Sequence, residues 1–188
     1  MSFWDLSTGE QASNGSTEFE TGGGDMSPIP ADSSLLAMID EAKWQWNRDN
    51  TAQHISLRWS VVEPETYKNR KIFQKLWVSD LDPSVQDDNK AQKKRDKALQ
   101  MLAAIDANCG GKLSKKDAMP NSDDLTLALT NRLMVIKVQV WEIKSLDGST
   151  NSGNWISAVA ARTKGVEVKE AAAKPAPRAN VSDDEVPF

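Results

Sequence analysis

Residues 51–79 read TAQHISLRWSVVEPETYKNRKIFQKLWVS, and this stretch decides the predicted fold. In its first half, apolar side chains occupy every second position: Ile55, Leu57, Trp59 and Val61. Such alternation places them on one face, which predicts a half-buried strand over residues 51–62. Pro64 and residues 67–70 predict a turn, and a second alternating run predicts a strand over residues 71–79.

Patterned segments on either side extend the predicted sheet. Residues 35–46 predict a long strand whose alternation changes phase between Asp40 and Ala42, which indicates a bulge there. Residues 132–144 and 154–161 predict two more strands, joined by a Gly- and Ser-rich loop at residues 147–153.

Helical spacing occurs between the third and fourth predicted strands. Asp87 offers an N-cap, Gly110 ends the pattern, and apolar residues recur at helical intervals between them: Ala98, Leu102, Ile105 and Cys109. A short second helix is expected from Asp123 to Thr130. Three strands, an amphipathic helix and two further strands, without a parallel βαβ rhythm, favour a mainly β fold. We predict an OB-fold-like five-stranded barrel with one inserted helix.

Composition divides the 188 residues into four segments. We predict a flexible acidic arm at residues 1–27 and a barrel domain at residues 28–162. An Ala/Lys/Pro linker at residues 163–180 and an acidic tip at residues 181–188 follow, and both ends of the chain are expected to be disordered. The net charge is −4, but residues 1–32 contain six acids and no Lys or Arg, and the tip contains three acids. Residues 33–180 therefore have a net charge of +5, which leaves a polyanionic partner open.

Several classes of protein are disfavoured. Cys109 is the only cysteine and His54 the only histidine, so the chain has no intramolecular disulfide and no Cys/His zinc site. His54 lies on the polar side of its predicted strand and is expected at the surface. The sequence shows no basic leader and no apolar run of membrane-spanning length, so we expect a cytoplasmic protein.

Enzymatic interpretations are weak. Gly110-Gly111-Lys112 lacks the rest of a phosphate-binding loop and is interpreted as a helix stop. A metal-dependent nuclease built on Asp40, Glu41, Asp80 or Asp82 is the least favoured alternative. We therefore expect no catalysis, no metal and no cofactor.

Seven tryptophans and the cations near them carry the functional prediction. Phe73, Lys75 and Trp77 occupy one side of a predicted strand, and Lys137 and Trp141 repeat the arrangement on another. Bases of single-stranded nucleic acid stack on aromatic rings, while cations hold the phosphates. Core packing is the alternative for each ring, and a solvated surface is the alternative for each cation. The candidate nucleic-acid-binding residues are Trp44, Trp46, Arg58, Tyr67, Lys68, Arg70, Lys71, Phe73, Lys75, Trp77, Lys137 and Trp141.

Both ends of the chain hold candidate interaction peptides. Phe3 and Trp4 either pack on the body or bind a partner. In the tip, acids precede Val186-Pro187-Phe188, which can place a ring and a carboxylate in a basic pocket of a partner or compete for the chain's own basic groove. A solubilising tail is the alternative. The candidate partner-binding residues are Asp183, Asp184, Glu185, Val186, Pro187 and Phe188.

The tip resembles a known ending. Asp183-Asp184-Glu185-Val186-Pro187-Phe188 is similar to the acidic Pro-Phe ending of bacterial-type single-stranded DNA-binding proteins. Those proteins recruit replication and repair partners through it, so the resemblance implies the same role for these six residues.

The body resembles a second family. Ile29-Pro30, Trp59-Ser60-Val61-Val62 and residues 67–73 (YKNRKIF) are similar to a family of phage early proteins regarded as OB-fold single-stranded DNA-binding proteins. Asp32 and Asn69 stand where that family usually has glycine. Asparagine tolerates a positive φ, so we expect the turn at Asn69 to be kept.

The resemblance implies sequence-tolerant binding of single-stranded DNA in phage replication or recombination, without catalysis. It also implies that replication or recombination proteins bind the tip. The alternative is a non-enzymatic adaptor whose barrel core bridges partner proteins. The sequence leaves open the choice between DNA and RNA and the oligomeric state, for which a homodimer is one option.

Overall fold

The computed structural model describes residues 27–145, 148 and 150–162. Within these residues the chain forms five strands and two α-helices: β1 (Ser34–Trp46), β2 (Gln53–Glu63), β3 (Lys71–Leu76), α1 (Asp88–Cys109), α2 (Ser122–Leu129), β4 (Leu133–Lys144) and β5 (Thr150–Ala161). The strands form one antiparallel sheet in the order β3-β2-β1-β4-β5. The predicted mainly β fold, with its helices between the third and fourth strands, is confirmed.

The sheet is not closed into a barrel. Its edge strands β3 and β5 approach each other to within 8 Å between Cα atoms, but no backbone ladder joins them in the described part of the chain. α1 packs against both β3 and β5 and so covers part of the open side. The predicted barrel is therefore confirmed only in its strand number and in the position of its helices, because closure by hydrogen bonds is missing.

The alternation in β2 builds the core as predicted. Ile55, Leu57, Trp59 and Val61 are all buried. The indole Nε1 of Trp59 donates a hydrogen bond to Oε1 of Gln74 on β3, at 3.0 Å, and both side chains are buried. The buried indole N–H is thereby satisfied, which a core tryptophan requires.

The predicted bulge in β1 is also present. The register against β2 shifts between Ile39 and Glu41, so Asp40 is the extra residue of β1. A bulge re-aims the side chains around it. Asp40 and Glu41 both reach Arg58 of β2 as a result.

α1 has the predicted N-cap and C-terminal glycine, and α2 is present but shifted by one residue from the predicted range of Asp123 to Thr130. The Asp87 side chain accepts hydrogen bonds from the first-turn amides of α1, and Gly110 ends that helix at a φ of 107°. Asn121 and Asp124 form a capping box at the start of α2. At a φ near +100°, a Cβ would clash with the backbone, and glycine has none. This explains why a glycine occupies the C-cap position of α1.

Two strand boundaries differ from the prediction by three residues or more, and the others by at most two. β3 ends at Leu76 instead of extending to residue 79, because the backbone N–H of Gln53 bonds to the Asp80 side chain instead of continuing the ladder. β5 begins at Thr150 instead of residue 154, because its ladder with β4 continues to the pair Lys144–Thr150.

Two of the non-glycine residues with positive φ are Asn69 and Asp32. Asn69 has a φ of 67° and Asp32 a φ of 64°. The turn expected at Asn69 is therefore kept. The predicted tip, the whole of the linker and all but one residue of the N-terminal arm lie outside the described residues.

Candidate nucleic-acid interface

A groove of about 770 Å³ lies between the two open edges of the sheet and is lined by residues from all five strands. Cross-strand pairing builds one wall of it. Lys43 of β1 lies opposite Ser56 of β2, which in turn lies opposite Lys75 of β3. Adjacent strands are about 4.8 Å apart, so these side chains form a short row across the sheet.

A parallel row lies two residues further along. Glu41, Arg58 and Phe73 are paired across β1, β2 and β3 in the same way. Phe73 is 68% exposed, which is unusual for a phenylalanine within a strand. Its ring is therefore available to a ligand in the groove.

The opposite wall carries two tryptophans. Trp141 of β4 is paired with Gly153 of β5, and Trp155 lies two residues further along β5 on the same face. Both indoles are half-buried and line the groove. The groove thus has aromatic rings on both sides.

Five cations and one carboxylate line the groove: Lys43, Arg58, Arg70, Lys71, Lys75 and Glu41. Arg58 is fixed by two ion pairs, with Nε 2.9 Å from Asp40 Oδ1 and Nη1 2.7 Å from Glu41 Oε2. Lys71 also binds Asp40 and donates to Ser60 Oγ at 2.8 Å. Lys75 makes no ion pair with any of the described residues, so its charge is the least compensated of this set.

The pKa values of the paired groups follow from these contacts. Burial opposes ionisation of Asp40, but hydrogen bonds from Lys71 and Arg58 outweigh it and hold the pKa of that carboxyl below its ordinary value. A hydrogen bond from Lys43 lowers the pKa of Glu41, and the hydrogen bond to Asp40 raises the pKa of Arg58. The groove floor therefore contains permanently charged groups at neutral pH.

Six of the twelve candidate residues line the groove: Arg58, Arg70, Lys71, Phe73, Lys75 and Trp141. Arg70 is held by a 2.6 Å hydrogen bond to the Ser27 carbonyl, and its guanidinium lies 5.8 Å from the centre of the Tyr67 ring. Tyr67 itself packs against the core, and Lys68 pairs with Glu65 outside the groove.

Three candidate tryptophans lie elsewhere. Trp44 packs against the core and donates its indole N–H to the Pro120 carbonyl at 2.7 Å. Trp46 is 53% exposed but falls outside the groove lining. Trp77 is only 7% exposed, because β3 has already ended and the chain turns its ring against His54, with 4.7 Å between ring centres. Lys137 also falls outside the groove lining and pairs with Asp32 at 2.8 Å.

The expectation of a surface histidine is wrong. His54 is 2% exposed, and neither ring nitrogen has a hydrogen-bond partner among the described residues. Burial, assisted by the charge of Lys75, lowers the pKa of His54 from 6.5 to about 4. The polar side of β2 is covered at this end by the loop after β3, which alternation alone does not indicate.

Trp155 is the aromatic residue of the groove that the sequence prediction missed, and Lys43 is the cation that it missed. The sequence pattern that indicates Trp155 is Gly153-Asn154-Trp155. Gly153 and Trp155 lie on the same face of the strand, and the missing side chain at Gly153 leaves room for an aromatic ring from the neighbouring strand. That ring belongs to Trp141, which the prediction includes.

No family model matches the chain, and no curated protein matches it. In the described residues, no helix is both long and apolar enough to cross a membrane. The same part of the chain holds no group of three His, Cys, Asp or Glu side chains placed to bind a metal ion. The candidate partner-binding residues 183–188 lie outside the description.

Proposed function

We propose that this chain is a sequence-tolerant single-stranded DNA-binding protein that uses the groove between β3 and β5. The observation that carries the proposal is the combination of Phe73, Trp141 and Trp155 with five cations in one groove. Aromatic rings accept any base by stacking, and cations contact the backbone independently of sequence. These are the two requirements for binding single strands without sequence preference.

We also propose that the open sheet is an OB-like barrel whose gap lies between β3 and β5. The OB fold is a partly open five-stranded barrel that binds oligonucleotides on the face of its second and third strands. Here Ser56, Arg58, Phe73 and Lys75 of β2 and β3 lie on the groove side. Together with the sequence resemblance, this supports a role in phage DNA replication or recombination, with partner proteins recruited through the tip.

Titration of the full chain with a labelled single-stranded oligonucleotide tests the proposal. We expect tryptophan quenching and increased anisotropy that both weaken with salt, and much weaker binding of the matching duplex. Phe73→Ala removes an exposed ring and should weaken binding by about 1–3 kcal/mol, or about 5- to 150-fold. The matched control is Trp46→Ala, which removes an exposed ring outside the groove and should leave affinity unchanged.

Two results would count against this function. Equal affinities of the Phe73 variant and the parent would show that the groove is not the binding face. Absence of any salt-sensitive oligonucleotide binding would favour the protein adaptor, for which the tip is the natural bait.

A further inference from the structure

A second concavity, of about 430 Å³, lies on the outer side of α2. It is lined by Thr126, Leu127 and Thr130 of α2, by the cations Lys112 and Arg132, and by one carboxylate, Asp123. We call this the α2 patch. It shares no residue with the groove between β3 and β5.

The α2 patch combines an exposed apolar side chain with uncompensated cations. Leu127 is 75% exposed, the highest value among the large apolar residues described. Neither Lys112 nor Arg132 makes an ion pair with any residue in the described ranges. An acidic peptide with an apolar residue would match both features.

The chain leaves the described structure beside this patch. Ala161, the last residue of β5, is paired with Met134 of β4, two residues after Arg132. The segment that follows therefore starts next to Arg132. That segment contains a basic, Pro-containing linker, followed by residues 183–188 with the sequence DDEVPF.

We propose that residues 183–188 of this chain dock on the α2 patch, with their carboxylates at Lys112 and Arg132 and their apolar side chains against Leu127. Twenty residues separate Arg162 from Asp183, and a random coil of that length would span about 25 Å. A tether of this length gives an effective concentration on the order of 1 mM, so weak contacts suffice for docking.

Docking at this position would leave the groove accessible. Six residues separate Ala161 from Trp155 along β5, which corresponds to about 20 Å at ~3.3 Å per residue. A tip held on the α2 patch would be stored away from the groove until a partner protein displaces it. The proposal does not depend on what the groove binds.

Amide chemical shifts of the full-length chain test this docking. The tip variant Asp183→Asn, Asp184→Asn, Glu185→Gln keeps the shape of the tip and removes its charge. We expect its shift differences from the parent to centre on Leu127, Asn131 and Arg132, and to shrink with added salt. Adding a synthetic peptide of residues 181–188 to the tip variant should restore the parent shifts at the same amides.

Variants in the patch provide the reciprocal test. Leu127→Ser changes an exposed side chain, and Lys112→Glu with Arg132→Glu reverses the two charges, so either change should abolish the effect of the peptide. The matched control is Lys97→Glu on α1, which reverses an exposed charge outside the patch and should leave the effect intact. Differences centred on Lys75 and Gly153 would overturn the proposal in favour of docking in the groove, and an absence of differences would overturn it outright.

Discussion

The indole of Trp141 lies directly over Gly153, its partner across β4 and β5. A Cβ placed on Gly153 would be 2.6 Å from Cζ2 and 2.9 Å from Nε1 of that indole, closer than side-chain atoms pack. The absence of a side chain at Gly153 therefore sets the position of one aromatic wall of the groove.

Substitution of Gly153 tests this relationship. Gly153→Ala must displace the Trp141 ring or the strand, which we expect to lower the free energy of unfolding by about 1–3 kcal/mol. It should also weaken single-strand binding, because the displaced ring lines the groove. Urea unfolding and oligonucleotide titration measure the two effects. Ala158→Ser, at an exposed position of the same strand outside the groove lining, is the control and should change neither. Equal stability of Gly153→Ala and the parent would show that the ring adapts without cost.

Lys75 should account for part of the salt dependence of binding. Its charge has no carboxylate partner among the described residues, so Lys75→Ala is expected to reduce the slope of log K against log salt by about 0.7, the value for one phosphate contact on a single strand. Lys68→Ala removes a cation that pairs with Glu65 outside the groove, and its slope should equal that of the parent. The same slope for both variants would remove Lys75 from the interface.

Asp40 should oppose nucleic-acid binding. It holds Arg58 and Lys71 by ion pairs at the edge of the groove, where its charge repels phosphates. Asp40→Asn keeps the side-chain shape and should strengthen binding at low salt by about 0.5–1 kcal/mol, the range for a partly exposed charge pair. Weaker binding by this variant would mean that Asp40 acts mainly by orienting Arg58.

Acid lability should originate at His54. The pKa of His54 is about 4 in the folded chain, whereas in the unfolded chain it has the ordinary value of 6.5. Between these two pH values the unfolded chain therefore binds more protons than the folded chain. Stability is therefore lost as pH falls through this window, by about 2 kcal/mol between pH 7 and pH 5. The carboxyls with lowered pKa titrate at lower pH and do not interfere.

His54→Phe provides the matched comparison. The substitution keeps a ring against Trp77 and removes two ring nitrogens that have no hydrogen-bond partner in the described part of the chain, so the variant should be more stable at pH 7 by about 1–3 kcal/mol. Its free energy of unfolding in urea should show no loss of this size between pH 7 and pH 5. A parent protein equally stable at both pH values would contradict the assignment to His54.

Local patterns predicted the elements of the fold well. Alternation places Ile55 and Trp59 in the core, and the capping residues Asp87 and Gly110 bound α1. Each of these signals acts within a few residues of the chain. Closure of the sheet into a barrel depends on whether β3 and β5 form a ladder of hydrogen bonds. These strands are far apart in sequence, so a pattern within either strand does not predict whether they pair.

The candidate site was predicted in part for the same reason. Phe73 and Lys75 lie where alternation places them, within β3. Trp77 does not lie where alternation places it, because β3 ends before it. The strand ends where the Gln53 amide donates a hydrogen bond to the Asp80 side chain, and these two residues are distant in sequence. The bulge at Asp40 was visible in the sequence, but its consequence, a carboxylate between Arg58 and Lys71, requires the register of β1 against β2.

The hydrogen bond between Trp59 and Gln74 connects the groove to the core. Gln74 lies between Phe73 and Lys75 on β3, and its side chain points inward to the buried indole. The strand that carries one wall of the groove is therefore anchored through the interior. We therefore expect this wall to keep its position when a ligand binds, so that the entropic cost of ordering falls mainly on the ligand.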